Sequence, residues 1–193
     1  MNIPELQTKL AALPGKLVDE IILQRLGLGA VAIIRKRTLE GQFLEGSSPD
    51  ASQYSSKPFP IPLGLLKNKV SKTELKDKEK YVIFQAKSGS TWVVVMGGYK
   101  FYRKLGGRQN DHVDLSWSGR MLSNMGITEM NQNGLTIGFS REENQKLALW
   151  HNVLGAGKSH RKHVFFDLTE EERKKFAKYA GEEITKLFLQ SLK

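Results

Sequence analysis

Four histidines could do acid–base or metal chemistry here, His112, His151, His160 and His163, and the chain has no cysteine. Without cysteine there are no disulfides, no thiolate metal sites and no cysteine nucleophile. His160 and His163 stand three apart, a spacing that can hold a metal on a helix or turn. Their neighbours are Lys158, Arg161 and Lys162, whose charge repels a cation, and no carboxylate cluster accompanies them. The stretch reads as a basic loop. His151 falls near an expected helix end and reads as a capping or interface residue, since no base–nucleophile pattern surrounds it. Ser118-Gly119-Arg120 lacks the Gly-x-Ser-x-Gly elbow of a hydrolase. Ser118 reads instead as the N-cap of a helix through Asn124, turning Met121, Leu122 and Met125 inward. Arg120 is then available for a bidentate pair with a carboxylate of its own chain or the next. Gly155-Ala156-Gly157-Lys158-Ser159 has the look of a phosphate loop. Its frame, however, begins at Asn152 rather than glycine, and a helix rather than a strand precedes it. Phe165-Phe166 is an aromatic pair whose members face opposite ways if extended, so each is a candidate for the core or for an interface anchor. No catalytic, cofactor or metal set follows, and the expectation is a protein that is not an enzyme.

These residues need elements to carry them. Residues 3–13 read as a short amphipathic helix stopped by Pro14-Gly15, and a longer helix starts near Lys16. Leu17, Ile21, Ile22, Leu26, Leu28, Val31 and Ile34 follow its period. Gly27 and Gly29 inside it mark a kink, a break or a close crossing. Residues 46–62 are rich in serine and proline, and Pro58, Pro60 and Pro62 impose an extended conformation. Residues 67–80 are lysine-rich and poorly apolar. Together, 46–80 reads as an extended loop or arm that orders against a neighbour. Strands are expected at 81–84 and 91–96 around a Ser88-Gly89-Ser90 turn, and at 126–131 and 135–139 around Asn133-Gly134. A helix at 99–105 presents Tyr99, Tyr102 and Leu105. Another starts at Ser140 with Glu143 as its capping-box partner and runs to about Asn152. Thr169-Glu170-Glu171-Glu172 opens the last helix. The fold class is α+β: N-terminal helices, a small antiparallel sheet of about four strands, a helix packed on it and a C-terminal helix. The organisation is one structural domain, with a helical segment at 1–45, the arm at 46–80 and an α+β core at 81–193.

The 193 residues suit a single domain, and a 39% hydrophobic content makes a modest core. No apolar run approaches the roughly 18 residues of a membrane span, and residues 1–10 lack the order of a signal peptide. The expectation is a cytoplasmic protein without a membrane partner. The net charge of +10 raises affinity for phosphate backbones and acidic surfaces. A basic nucleic-acid-binding module is therefore the alternative reading.

One series of motifs leads further. Asp114-Leu115-Ser116-Trp117-Ser118-Gly119-Arg120-Met121-Leu122 is followed by Gly134-Leu135-Thr136-Ile137-Gly138-Phe139. Ala148-Leu149-Trp150-His151-Asn152-Val153-Leu154-Gly155 comes next, then Val164-Phe165-Phe166-Asp167-Leu168-Thr169 and a charged helix. In order and spacing this resembles the phage virion-morphogenesis proteins that complete tails or join tail to head. The likeness covers residues 100–193 best, and Arg37-Thr38-x-x-Gly41 and Tyr54-Ser55 match more loosely. One departure is that Lys162-His163-Val164 separates Arg161 from Phe165, where the family often has Arg-x-Phe. The resemblance implies a structural protein of the virion neck, made in the host cytoplasm and built as a ring on the head–tail axis. It implies sixfold or twelvefold self-association, and other neck, portal-adaptor or tail-tube proteins as neighbours. Contact with DNA in the channel would suit the basic balance. Arg120, His151, Phe165 and Phe166 are the interface candidates.

Overall fold

A computed structural model describes residues 20–116, 118–131, 134–157 and 160–191. The expected helix at 3–13, the start of the next near Lys16, and Asn133 of the hairpin turn lie outside them. The architecture is α+β, as the residue pattern implies. Helix α1 spans Glu20–Leu39 without interruption. The two glycines do not break it. A Cβ on Gly27 would come within 2.7 Å of Ile127 and Leu135, so this glycine marks a close crossing.

The strands form two sheets rather than one of about four. Strands β1 (Phe59–Pro62), β2 (Tyr81–Gln85) and β3 (Thr91–Val95) form an antiparallel sheet in the order β1-β3-β2. Helix α2 (Gly98–Leu105) follows directly, and Gly106 closes it. Helix α3 is one short turn, Arg120–Ser123. Strands β4 (Met125–Asn131) and β5 (Gly134–Phe139) pair as a hairpin. Helix α4 (Glu142–Leu149) continues into a π-helical turn at Trp150–Leu154, and α5 (Glu170–Ser191) ends the described chain.

Each sheet has its own core. The first joins Val31 and Ile34 of α1, Met121 and Leu122 of α3, Met125, Phe139, Ala148 and Phe165. The second joins Ile61, Leu66, Val70, Tyr81, Val93, Val95 and Tyr102. Residues 46–80 are therefore not a projecting arm. Leu66 is fully buried, Ile61 and Val70 nearly so, and β1 lies inside this segment. The prolines impose extended backbone as expected, and that backbone is used as a sheet edge.

Local signals explain most boundaries. Thr169 and Glu172 form a reciprocal capping box at α5: Thr169 N–H donates to Glu172 at 2.7 Å, and Glu172 N–H to Thr169 Oγ1 at 3.1 Å. Two expected caps are displaced. Gly119, with φ 75°, takes the N-cap position of α3 instead of Ser118. Arg141 takes that of α4, because Ser140 Oγ accepts a hydrogen bond from Asn124 Nδ2 at 2.8 Å instead of turning to its own helix.

Candidate assembly interface

The motif residues around 150–167 form a tightly tied junction. His151 and His163 sit with Nδ1 atoms 3.3 Å apart and rings edge to face, and Phe43 packs its edge on His163. Only one proton fits between two Nδ1 atoms at that distance, so the two imidazoles cannot both be charged. Burial pushes the His163 imidazole down to about 4, helped by the nearby His151 and Arg161. Burial lowers His151 as well. His163 N–H also donates to the His151 carbonyl at 2.7 Å. His160 is exposed while His163 is buried, so the metal-like spacing does not make a site. Among the described residues, no three His, Cys, Asp or Glu side chains converge as metal ligands.

Asn152 Oδ1 accepts the amides of both Phe165 and Phe166, at 2.8 and 3.1 Å. Phe165 is fully buried in the first core, and Phe166 packs its ring 5.2 Å from Phe139. Phe165 thus belongs to this chain's interior, Phe166 is half-buried, and His151 is half-buried with its ring against His163. Of the four candidates, Arg120 alone is exposed.

A strap at residues 44–54 runs along this junction. Leu44 N–H donates to the Val164 carbonyl, Ser48 N–H to the Lys162 carbonyl, and the Ser47 and Ser48 hydroxyls accept the amides of Val164 and Lys162. Arg161 donates to the Gln53 carbonyl at 2.7 Å and pairs with Asp50. An open groove of about 370 Å³ lies beside this pair, lined by Asp50, Gln53, Tyr54, Ser55, Lys57 and Arg161. Ala156 and Arg161 pair across an antiparallel bridge. Gly155, at φ 86°, leads into it; a Cβ there would meet the His160 carbonyl at 2.1 Å. This explains the glycine four residues after His151.

Two buried arginines that the sequence reading passed over hold the pieces together. Arg37 of α1 pairs with Glu172 and donates to the carbonyls of Phe165 and Asp167, both at 2.6 Å. Arg103 of α2 reaches both carboxylate oxygens of Asp114 from Nη2, at 2.9 and 3.1 Å, and donates through Nε and Nη1 to the carbonyls of Gln109 and Ser116. Its guanidinium carbon lies 4.4 Å from the centre of the Tyr54 ring, and Tyr54 OH donates to Asp114 at 2.7 Å. Burial raises the Tyr54 phenol well above its ordinary value, so it stays a donor. Each has another basic residue beside it, Lys36 and Lys104, so no local signal marks either as buried.

The surface has two unusual regions. One is an apolar ridge on α4 and its π turn, where Leu147, Leu149, Trp150, Val153 and Leu154 are each 40–53% exposed. The other is charge. Residues 55–108 hold twelve Lys and Arg against three Asp and Glu, nine of the ten net positive charges. Twelve of the thirty basic residues lie in this segment, which builds the second core, and its net charge is high because few acidic residues offset them.

No family model matches the chain, and neither a curated protein nor a solved structure matches it significantly. Among the described residues, no helix is long and apolar enough to cross a membrane.

Proposed function

We propose that this chain is a non-enzymatic structural subunit of a phage neck, completing the tail or joining it to the head as a ring on the head–tail axis. The observation that carries the reading is the convergence of the motif segments on one core and one junction. Met121 and Leu122, Phe139, Ala148 and Phe165 share the first core. Gly155, packed against His160, and His151, packed against His163, belong to the adjoining junction. These buried and backbone-constrained positions are the ones that define the motif, so the motif encodes a scaffold rather than a reaction centre. The contacts to the next subunit then fall on what the scaffold exposes: the ridge of Leu147, Trp150, Val153 and Leu154, with Arg120 as a charged contact. Apolar patches of this kind mark interaction sites, and heterologous contacts that close make rings. Ring order would be sixfold or twelvefold, the neighbours other neck, portal-adaptor or tail-tube proteins, and the place the virion, after assembly in the host cytoplasm.

Electron microscopy of purified protein and of particles tests this. Wild-type protein is expected in rings and in necks. A Trp150→Ser/Leu154→Ser chain is expected to stay folded, fail to form rings and leave heads and tails unjoined. Wild-type protein absent from particles would overturn the reading.

A second reading, a basic nucleic-acid-binding module, is favoured by the concentration of charge in residues 55–108. It calls for duplex DNA binding by the isolated chain that weakens steeply with salt, at about 0.9 counterions per phosphate contact, without ring formation. Within the first reading the same charge would face DNA in the channel.

A further inference from the structure

The three-stranded sheet has two unlike faces. Phe59, Ile61, Tyr81, Val93 and Val95 point inward, where α2 and residues 63–70 cover them. Side chains alternate along a strand, so Pro60, Pro62, Val82, Phe84, Trp92 and Val94 share the other face. The register sets them in two rows across the strands, Pro60-Val94-Val82 and Pro62-Trp92-Phe84. Neighbours in a row stand on strands about 4.8 Å apart. The two prolines, Val82 and Phe84 are exposed, and Trp92 and Val94 are half-buried. No ring of another described residue meets Phe84 or Trp92. An uncharged face with two free aromatic rings thus lies on the segment with twelve basic residues against three acidic ones.

That charge narrows what can cover the face. A second copy would bring the same excess of lysine to the contact. A lipid surface is entered by apolar side chains that project, whereas the loop joining β2 to β3, Ala86-Lys87-Ser88-Gly89-Ser90, is polar and the rings lie within the sheet. An anion that carries flat apolar groups fits both features. Duplex DNA offers phosphates but keeps its base faces stacked on one another, and a single strand offers both. Lysines are placed to meet its phosphates. β1 begins two residues after Lys57, beside Val95, and β2 ends two residues before Lys87, beside Thr91. These exposed lysines therefore stand toward opposite ends of the sheet.

We propose that the outer face of this sheet binds single-stranded nucleic acid, with one base stacked on Phe84, one on Trp92, and the phosphates met by Lys57 and Lys87. Stacking needs only a ring face, so strandedness is recognised rather than sequence. The inference rests on the nucleic-acid-binding reading, whose ligand it names, and is independent of the neck reading.

Fluorescence anisotropy with the full chain tests it, using a labelled oligothymidylate of about 15 nucleotides and a duplex of the same length. Wild type is expected to bind the single strand more tightly. Phe84→Ser and Trp92→Ser should each weaken that binding about 5- to 150-fold and leave duplex binding unchanged. Phe84→Leu keeps apolar area without a ring and should fall with Phe84→Ser, while Phe84→Tyr and Val82→Ser should bind as wild type does. Lys57→Ser/Lys87→Ser should flatten the salt slope by about 1.4. Phe84 is 40% exposed, so its variants should keep the circular dichroism spectrum and carry the test if Trp92→Ser unfolds. Single strand and duplex bound alike, with no effect of either ring, would mean binding by charge alone and overturn the proposal while the nucleic-acid reading stands. Binding of neither overturns both. Phe84→Leu binding as wild type does would mean apolar contact without stacking and overturns the proposal. So does Phe84-dependent binding to phosphatidylcholine vesicles with about one third phosphatidylserine, or a dimer in sedimentation that Phe84→Ser abolishes.

Discussion

The two cores of this chain are built from different resources. The first draws on distant segments: α1, α3, the β4–β5 hairpin, α4 and the stretch at Phe165. Ion pairs and amide hydrogen bonds on Arg37 and Asn152 lock it, and its part of the chain is close to neutral. The second is nearly local, running from Ile61 to Tyr102, and carries almost all the net charge. One region spends its residues on holding a shape that many chain segments share. The other holds a small sheet and devotes its surface to lysine and to an open sheet face. The difference also divides the motifs themselves: Phe139, Ala148 and Phe165 are buried in the first core, while Trp150, Val153 and Leu154 stay exposed.

The largest effect should come from the joint between the two regions. Arg103→Met leaves Asp114 buried without its cation, a change that typically costs about 3–5 kcal/mol. It should also uncouple the regions, giving two transitions in denaturant where wild type gives one. A single transition at lower denaturant would mean the regions remain one cooperative unit. Next, Phe165→Ala should cost about 3–5 kcal/mol through its cavity and the loss of contacts across five segments. Amide exchange is expected to rise throughout. Leu66→Ala, at about 2–5 kcal/mol, should instead raise exchange mainly within residues 55–108. Equal patterns for the two variants would erase the distinction between a distributed core and a local one.

A smaller effect separates the regions by pH. His163 is neutral in the fold down to about pH 4, whereas the unfolded chain binds a proton near pH 6.5. Its contribution is complete above pH 6.5 and is lost as pH falls from there toward 4, on the order of 2 kcal/mol in all. The protection factors of amides around β5 and α4, taken relative to the intrinsic exchange rate at each pH, should therefore fall between pH 7 and 5 more than those of β3. His163→Gln should flatten this dependence. The smallest effect on stability and the largest on binding belongs to the basic region. Lys67→Glu/Lys72→Glu should leave the melting temperature nearly unchanged while reducing the salt slope of any DNA binding by about 2.

Much of the fold was legible along the chain. The β-branched run at 91–95, the hairpin into Phe139, the helix between Gly97 and Gly106 and the capping box at Thr169 rest on local chemistry, and the structure places them where that chemistry puts them. The errors share one cause. The arm at 46–80 looked too polar to fold, yet three apolar residues, Ile61, Leu66 and Val70, suffice when a sheet face waits for them. Ser140 satisfied the cap rule but was taken by Asn124, sixteen residues away. Phe165, open along the chain between core and interface anchor, is fully buried in the first core, and His151 is half-buried against His163, twelve residues away.

Sequence alone determined the elements, the α+β class and the motif positions, because period, turn chemistry and capping act over a few residues. Tertiary structure decided what each conspicuous residue is for. Whether an aromatic is an anchor or a core residue, whether two histidines meet each other and whether a proline-rich stretch becomes a sheet edge all depend on contacts between segments distant in the chain. Such contacts leave no mark on local sequence, because burial is set by the chain that packs against a residue rather than by its neighbours in the chain.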